Sequence, residues 1–357
     1  MTSLQEFLDP WRDAHTDTLI LSDRDVERLL PMHECIEVMD GALRALTLGN
    51  AILPLRTVMR LPGSPNAFAL MPSVLTEGTG DDVQPTALGA KIITVFPGND
   101  ATPFDSHIGV VLLFDGQRGR LSAIMDASSI TAIRTAAVSG LATRLLARPD
   151  ATDLAILGSG IQAMTHLDAM RCVRGIRRVR IWSRTPSRAR KFAEHASARF
   201  GCAVEVSETA RDAVAGAQII CTATAARTPV LEGAWIAPGT HINAVGASLA
   251  SARELDTEAV KRAYVYVDRR ESALAEAGDL LIPMSEGAIT ASHIRGELGE
   301  LLLGEAPGPD HADNITLFKS LGLAIEDLAS AQHLYKRAVA TETGTRLSIG
   351  GMRHHDS

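Results

Sequence analysis

The stretch Leu154-Ala155-Ile156-Leu157-Gly158-Ser159-Gly160-Ile161-Gln162-Ala163 constrains the fold more than any other segment. A short apolar run ends in two glycines one residue apart and continues into helix-forming sequence. This is the G-x-G-x-x-A form of a dinucleotide-binding turn. Gly158 permits a tight strand-to-helix turn, and a Cβ at Gly160 would hold the backbone away from a pyrophosphate. Ala163 is small enough to let the helix close on the sheet. The helix N-terminus offers unpaired N–H groups and a positive dipole end to phosphates. Gly158, Ser159, Gly160, Ile161 and Gln162 are therefore candidate cofactor-binding residues. A plain βα turn is the alternative reading, because G-x-G occurs in many ordinary turns. The context favours the nucleotide site: a strand-like run precedes the glycines, a helix is expected over 162–171, and a second β-branched run, Val179-Arg180-Ile181-Trp182, arrives at the spacing of a βαβ unit.

The chain after this turn keeps alternating. Strands are expected at 154–157, 179–182, 204–206, 219–222, 241–245 and 264–267, with helices at 187–199 and 210–215. Such alternation gives a parallel, doubly wound sheet with right-handed crossovers. Ligands then sit beyond the carboxyl ends of the strands. Thr222, Ala223 and Thr224 fall there, as do Val245 and Gly246 within Asn243-Ala244-Val245-Gly246. Small residues leave room for a cofactor, although small loop residues are common anyway. The segment 268–313 is polar and contains glycine, and a final helix is expected over 323–339.

The front half has a different pattern. A short strand at 19–21 precedes a helical region that Ser22 or Asp23 could cap, then a helix over 33–48. From Pro54 to Leu121 the chain reads as successive strands and turns, which suggests an α+β module with a largely antiparallel sheet. Ser128 or Ser129 opens a helix running to about Leu146. The first residues, Met1 to about Thr18, look like an extension.

Composition excludes several function classes. The 357 residues suffice for about two domains. A formal net charge of -7 gives no basic footprint for nucleic acid. Cys35, Cys172, Cys202 and Cys221 are scattered without a C-x-x-C pair, so neither a metal site nor a disulfide framework is expected. No apolar run approaches the ~18 residues of a membrane span, and Met1–Arg12 lacks a basic-then-apolar leader pattern. His354-His355 reads as a solvated tail. These features together suggest a cytoplasmic protein.

Cofactor choice is read at the end of the second strand of the doubly wound module. A site for NAD usually carries Asp or Glu there, bonded to the ribose 2′-OH. This chain has Ser183-Arg184-Thr185, with Arg188 one turn further on. An acid would repel a 2′-phosphate, whereas an arginine attracts it. NADP(H) is expected as the preferred cofactor, with NAD(H) as the alternative; a surface role for Arg184 is the competing reading.

With these motifs in place, the chain resembles the ornithine cyclodeaminase/mu-crystallin family over about Leu19 to Arg337. The specific pieces are Leu70-Met71-Pro72, Gly89-Ala90-Lys91, Met125-Asp126, Ile130 to Ala137 with its Arg134-Thr135, the glycine turn, Phe318-Lys319-Ser320-Leu321-Gly322 and Glu326-Asp327-Leu328. The resemblance implies an α/β fold: a Rossmann-type cofactor-binding domain over 135–319 and an α+β substrate-binding and dimerisation domain over 1–134 plus 320–357. It also implies a homodimer and chemistry at the C2–N bond of an amino or imino acid. Arg56, Lys91 and Arg134 match the family's carboxylate clamp, Thr135 would contact cofactor phosphates, and Ser320 matches a position near the nicotinamide.

Two departures matter. The family's cyclodeaminases place Asp after the Val-Gly turn, where this chain has Ser248, and Glu before the Leu-Met-Pro strand end, where it has Ala69. Both losses argue against ornithine cyclisation. The expected activity is reduction of the C=N bond of a ketimine or α-imino acid, reversible as an amino acid dehydrogenase, with Lys91 and Arg134 as the catalytic candidates. Lys91 could also supply the proton, and Asp126 could orient a cation or cap a helix. The alternatives are a cyclodeaminase or N-substituted amino acid dehydrogenase, and a catalytically silent binder of NADPH and a small ligand.

Overall fold

A computed structural model describes residues 17–78 and 82–349. Most of the N-terminal extension and the His354-His355 tail lie outside the described residues. The chain divides into two compact units, one of residues 1–30, 50–130 and 327–357, the other of residues 31–49 and 131–326.

The first unit is built on a twisted sheet. Its strands are β1 (Thr18–Leu21), β2 (Ala51–Ile52), β3 (Thr57–Arg60), β4 (Ala67–Glu77), β5 (Gln84–Val95), β6 (His107–Asp115) and β7 (Leu121–Asp126), and the strand Thr345–Leu347 closes one edge. Alternation along β4 explains how the sheet has one inner and one outer face. Ala67, Ala69, Met71 and Ser73 are buried, while Phe68 and Leu70 point outward and are exposed. The expected antiparallel pairing holds from β3 to β7. The exception is β1, which runs parallel to β7. Ser22 caps the helix Asp23–Leu29 in a capping box with Asp25.

The second unit is a fully parallel sheet in the order β10-β9-β8-β11-β12-β15-β13-β14. The strands are β8 (Asp153–Leu157), β9 (Arg178–Trp182), β10 (Val204–Val206), β11 (Ile219–Thr222), β12 (His241–Ala244), β13 (Ala263–Val267), β14 (Ile294–Glu297) and β15 (Ile315–Lys319). The order reverses between β8 and β11, so the turn after β8 opens at the switch point where such sheets hold ligands. The helix Met32–Thr47 groups with this unit: a Cβ on Gly299 would press on Leu43 and Thr47.

Two regions differ from expectation. The polar segment 268–313 contains helices Arg270–Glu276, Gly278–Ser285 and Leu298–Leu303 as well as β14. Residues 315–319 form β15, a fully buried strand between β12 and β13. Its terminal Lys319 is buried because Asp279 Oδ2 lies 2.9 Å from its ammonium. A lysine at the end of a short apolar run otherwise reads as a surface position.

Candidate active site

In the second unit the glycine turn is made almost entirely of backbone. Gly158 has φ +118°, and a Cβ there would collide with the carbonyl of Ala223. Only glycine adopts that conformation without strain. Its N–H donates to the Trp182 carbonyl (2.9 Å), and the Ala223 N–H donates to the Leu157 carbonyl (2.8 Å). Gly160 is the N-cap of the helix Ile161–Val173, with open space where a Cβ would stand. The space beside Gly160 is open, and Ala163 in the first turn of the helix is fully buried. Ile161 is exposed, and Gln162 donates to the Thr131 carbonyl. Ser159 Oγ donates to Ser183 Oγ at 3.0 Å, bringing the glycine turn against the end of β9. Arg184 and Thr185 beside it are exposed, and Thr185 is the N-cap of the helix Pro186–Phe200. Phosphate groups suit the donors of a helix N-terminus.

Thr222 ends β11 and Ala223 and Thr224 follow it, and Val245 and Gly246 follow β12, at the same edge of the sheet. Ser320 follows β15, and its N–H donates to the Ala244 carbonyl (3.1 Å). Thr135 lies in the helix Ala127–Leu146 and is buried. Its neighbour Arg134 is 4% exposed and donates from Nη1 to Glu326 Oε2 at 2.7 Å. The guanidinium lies close against Gly322, whose φ is +78°, and a side chain there would collide with it. Asp268 Oδ2 holds that turn by accepting the N–H groups of Leu321 and Gly322 at 2.6 and 2.7 Å.

In the first unit Lys91 lies on the inner face of β5. It is 2% exposed, and its Nζ is 2.8 Å from Asp327 Oδ2. Lys91 pairs across the sheet with Met71, and Thr57 pairs with Leu70. This register sets Arg56, one residue before β3, in the same row as Met71 and Lys91. Ala69 lies one pair further along the same face and is buried. Burial, and then the Lys91 charge, lower the pKa of the His107 imidazole. Asp126 is a cap: its Oδ1 accepts the Ser129 N–H at 2.7 Å.

Sequence reasoning assigned no role to Glu326 or Asp327. These consecutive residues supply the buried carboxylates for Arg134 and Lys91. Nor does local sequence mark Asp268, which accepts backbone N–H groups more than 50 residues on, or Glu254, which accepts from hydroxyls and N–H groups of Thr222, Thr224 and Gly246. Ser248 is exposed in the loop after Gly246. Among the described residues there is no cluster able to hold a metal ion, and no helix is long and apolar enough to cross a membrane.

Comparison with known proteins agrees with this architecture. The profile of the ornithine cyclodeaminase/mu-crystallin family matches residues 16–342. Ketimine reductase mu-crystallin of Mus musculus is 41% identical over 287 residues, 80% of this chain and 85% of that protein. The structure of Thermococcus litoralis Delta(1)-pyrroline-2-carboxylate reductase in complex with NADH and L-proline superposes with a TM-score of 0.88. It is 40% identical and covers 92% of this chain and 100% of its own. An archaeal alanine dehydrogenase dimer with bound NAD superposes with a TM-score of 0.86 at 30% identity, covering 94% and 100% of the two chains.

Proposed function

The chain belongs to the ornithine cyclodeaminase/mu-crystallin family, and from that premise we propose that it reduces the C=N bond of an α-imino carboxylic acid, reversibly, with NADPH as preferred cofactor. The observation that carries this reading is the pair of buried cations, Lys91 and Arg134, each seated on a buried carboxylate. Burying a charge is unfavourable unless it is paired. A chain that keeps two such pairs on consecutive residues, Glu326 and Asp327, maintains fixed cations that can address an anion.

In this reading Arg56, Lys91 and Arg134 hold the substrate carboxylate, with the Arg134 plane fixed by Glu326 and Gly322. A bound reduced nicotinamide would supply hydride to the imine carbon. The imine nitrogen arrives protonated or takes its proton from water or from Lys91 Nζ. Ser248 and Ala69 stand where the family's cyclodeaminases carry Asp and Glu, so this chain lacks both the acid beside the reacting nitrogen and the carboxylate for a distal amine. We assign substrate binding and dimerisation to residues 1–134 plus 320–357, and cofactor binding to residues 135–319. The cofactor contacts proposed are Thr135, Gly158, Ser159, Gly160, Ile161, Gln162, Ser183, Arg184, Thr185, Thr222, Ala223, Thr224, Val245, Gly246 and Ser320. A homodimer suits the outer face of the first sheet, where Met59, Phe68 and Ile108 are exposed in one row with Thr94.

The test is oxidation of NADPH with Delta(1)-pyrroline-2-carboxylate and its six-membered homologue as substrates. Turnover with either is expected, and its absence in a folded protein that binds NADPH contradicts the proposal. Arg184→Ala is expected to reduce the preference for NADPH over NADH by about tenfold, the loss of one charge-assisted contact. An unchanged preference would remove Arg184 from the 2′-phosphate site.

A further inference from the structure

We propose that Glu254 is a positioning residue for the nicotinamide end of the cofactor, its buried carboxylate clamping together the loops that follow β11 and β12. The proposal rests on the reading that this unit binds a nicotinamide dinucleotide. Glu254 has no exposed surface. Its Oε2 accepts from Thr222 Oγ1 at 2.8 Å and from the Gly246 N–H at 2.6 Å. Its Oε1 accepts from the Thr224 N–H and from Thr224 Oγ1, both at 2.7 Å. A carboxylate has about four acceptor positions, and all are used. The two loops meet backbone to backbone here, since a Cβ on Gly246 would collide with the Thr224 main chain and lie 2.6 Å from Glu254 Oε1.

The clamp is itself held from behind. Asp279 Oδ1 accepts the N–H groups of Glu254 and Leu255 at 2.7 and 3.0 Å, and its Oδ2 meets Lys319 Nζ. Lys319 ends β15, immediately before Ser320. One chain of buried charges thus ties the carboxyl ends of three neighbouring strands, β11, β12 and β15. A buried network kept only for stability has no reason to gather at the ligand-binding edge of the sheet. Loops fixed before the cofactor arrives need no ordering when it binds. Burial, and then the Asp279 charge, raise the pKa of Glu254, while Lys319 and the Thr224 and Thr222 hydroxyls act in the opposite direction.

The test separates positioning from general stability by using a ligand that lacks the nicotinamide. In Glu254→Gln the amide must set an NH2 against the N–H of Gly246 or of Thr224. Calorimetric titration should then show NADPH binding weakened about tenfold, one buried hydrogen bond lost and one donor left unmet. Binding of ADP-ribose 2′-phosphate should stay within about twofold of wild type. The control is Thr240→Val at the opposite end of β12, where Oγ1 donates to the Ala217 carbonyl. It should lower Tm while leaving both affinities unchanged. If Glu254→Gln weakens both ligands equally, or neither, the proposal is overturned. Should that variant fail to fold, Thr222→Val decides on the same two affinities. A wild type that binds neither NADPH nor NADH overturns this proposal together with the function above.

Discussion

The turn after β8 and the row that holds Arg56 and Lys91 are the two places proposed to receive negative charge, and they are made of different material. The turn is backbone: two glycines, a helix N-terminus and donors that need no particular side chain. The row is side chains, and its charge is buried only because a carboxylate distant in sequence meets it. A backbone site can be lost by adding an atom where none fits. A side-chain site can be lost while the fold is kept, provided that both members of a pair are removed.

The largest effects should come from the glycines, and they should differ sharply. Gly158→Val places a branched side chain at φ +118° against the Ala223 carbonyl. It is expected to abolish dinucleotide binding and to lower the yield of folded protein. Gly160→Ala meets open space in the protein itself. It should leave Tm nearly unchanged and weaken cofactor binding alone. Equal behaviour of the two variants would break the contrast between a glycine that shapes the turn and a glycine that admits the ligand.

Next in size is the Lys91–Asp327 pair. Lys91→Met strands a buried carboxylate and should destabilise the protein by about 3–5 kcal/mol. The double variant Lys91→Met/Asp327→Leu should recover most of that stability, read as the urea midpoint, and none of the turnover. Recovery of activity in the double variant would make the pair purely structural.

The smallest effect is a difference between the units in acid. In the second unit His166 and His241 are fully buried, and burial lowers their pKa values to about 4 and about 3. His166 bonds Ser139 Oγ, and His241 bonds Thr316 Oγ1. Between these values and the ordinary 6.5 the unfolded chain binds protons that the folded chain does not. Stability contributed by neutral burial is therefore complete above pH 6.5 and lost as pH falls toward 4. Each tenfold difference in proton affinity between folded and unfolded chain is worth about 1.4 kcal/mol, so a few kcal/mol are at stake. With Trp11 replaced by Phe, the two remaining tryptophans, Trp182 and Trp235, both lie in this unit, so fluorescence in urea titrations at pH 7 and pH 5 reads it directly. An unchanged midpoint would contradict the burial of neutral imidazoles.

These contrasts also explain what the sequence could convey. Gly158, Gly160 and Ala163 carry their meaning locally, because strand, turn and helix are neighbours in the chain. The alternation along β4 and the βα rhythm of the second unit are equally local. The partner of Arg134 lies 192 residues away, and no local pattern marks Glu326 as buried rather than solvated. β15 was hidden for a related reason: its last residue is a lysine whose carboxylate, Asp279, lies in a segment that reads as polar loop. In sequence Asp126 suits both orienting a cation and capping, and the Ser129 N–H at its Oδ1 decides for the cap. Glu254 offers no local signal, since its four donors sit at the ends of β11 and β12, which become adjacent only in the folded sheet.

The most direct test of the central claim is the fate of a labelled hydride. Wild-type protein is supplied with NADPH deuterated at the nicotinamide C4 and with Delta(1)-pyrroline-2-carboxylate, and the product is read by NMR and mass spectrometry. Transfer of deuterium to C2 of proline, abolished in Arg134→Ala at undiminished cofactor binding, is the result this account predicts. Cofactor consumed without label at C2, or transfer unaffected by loss of Arg134, would contradict it.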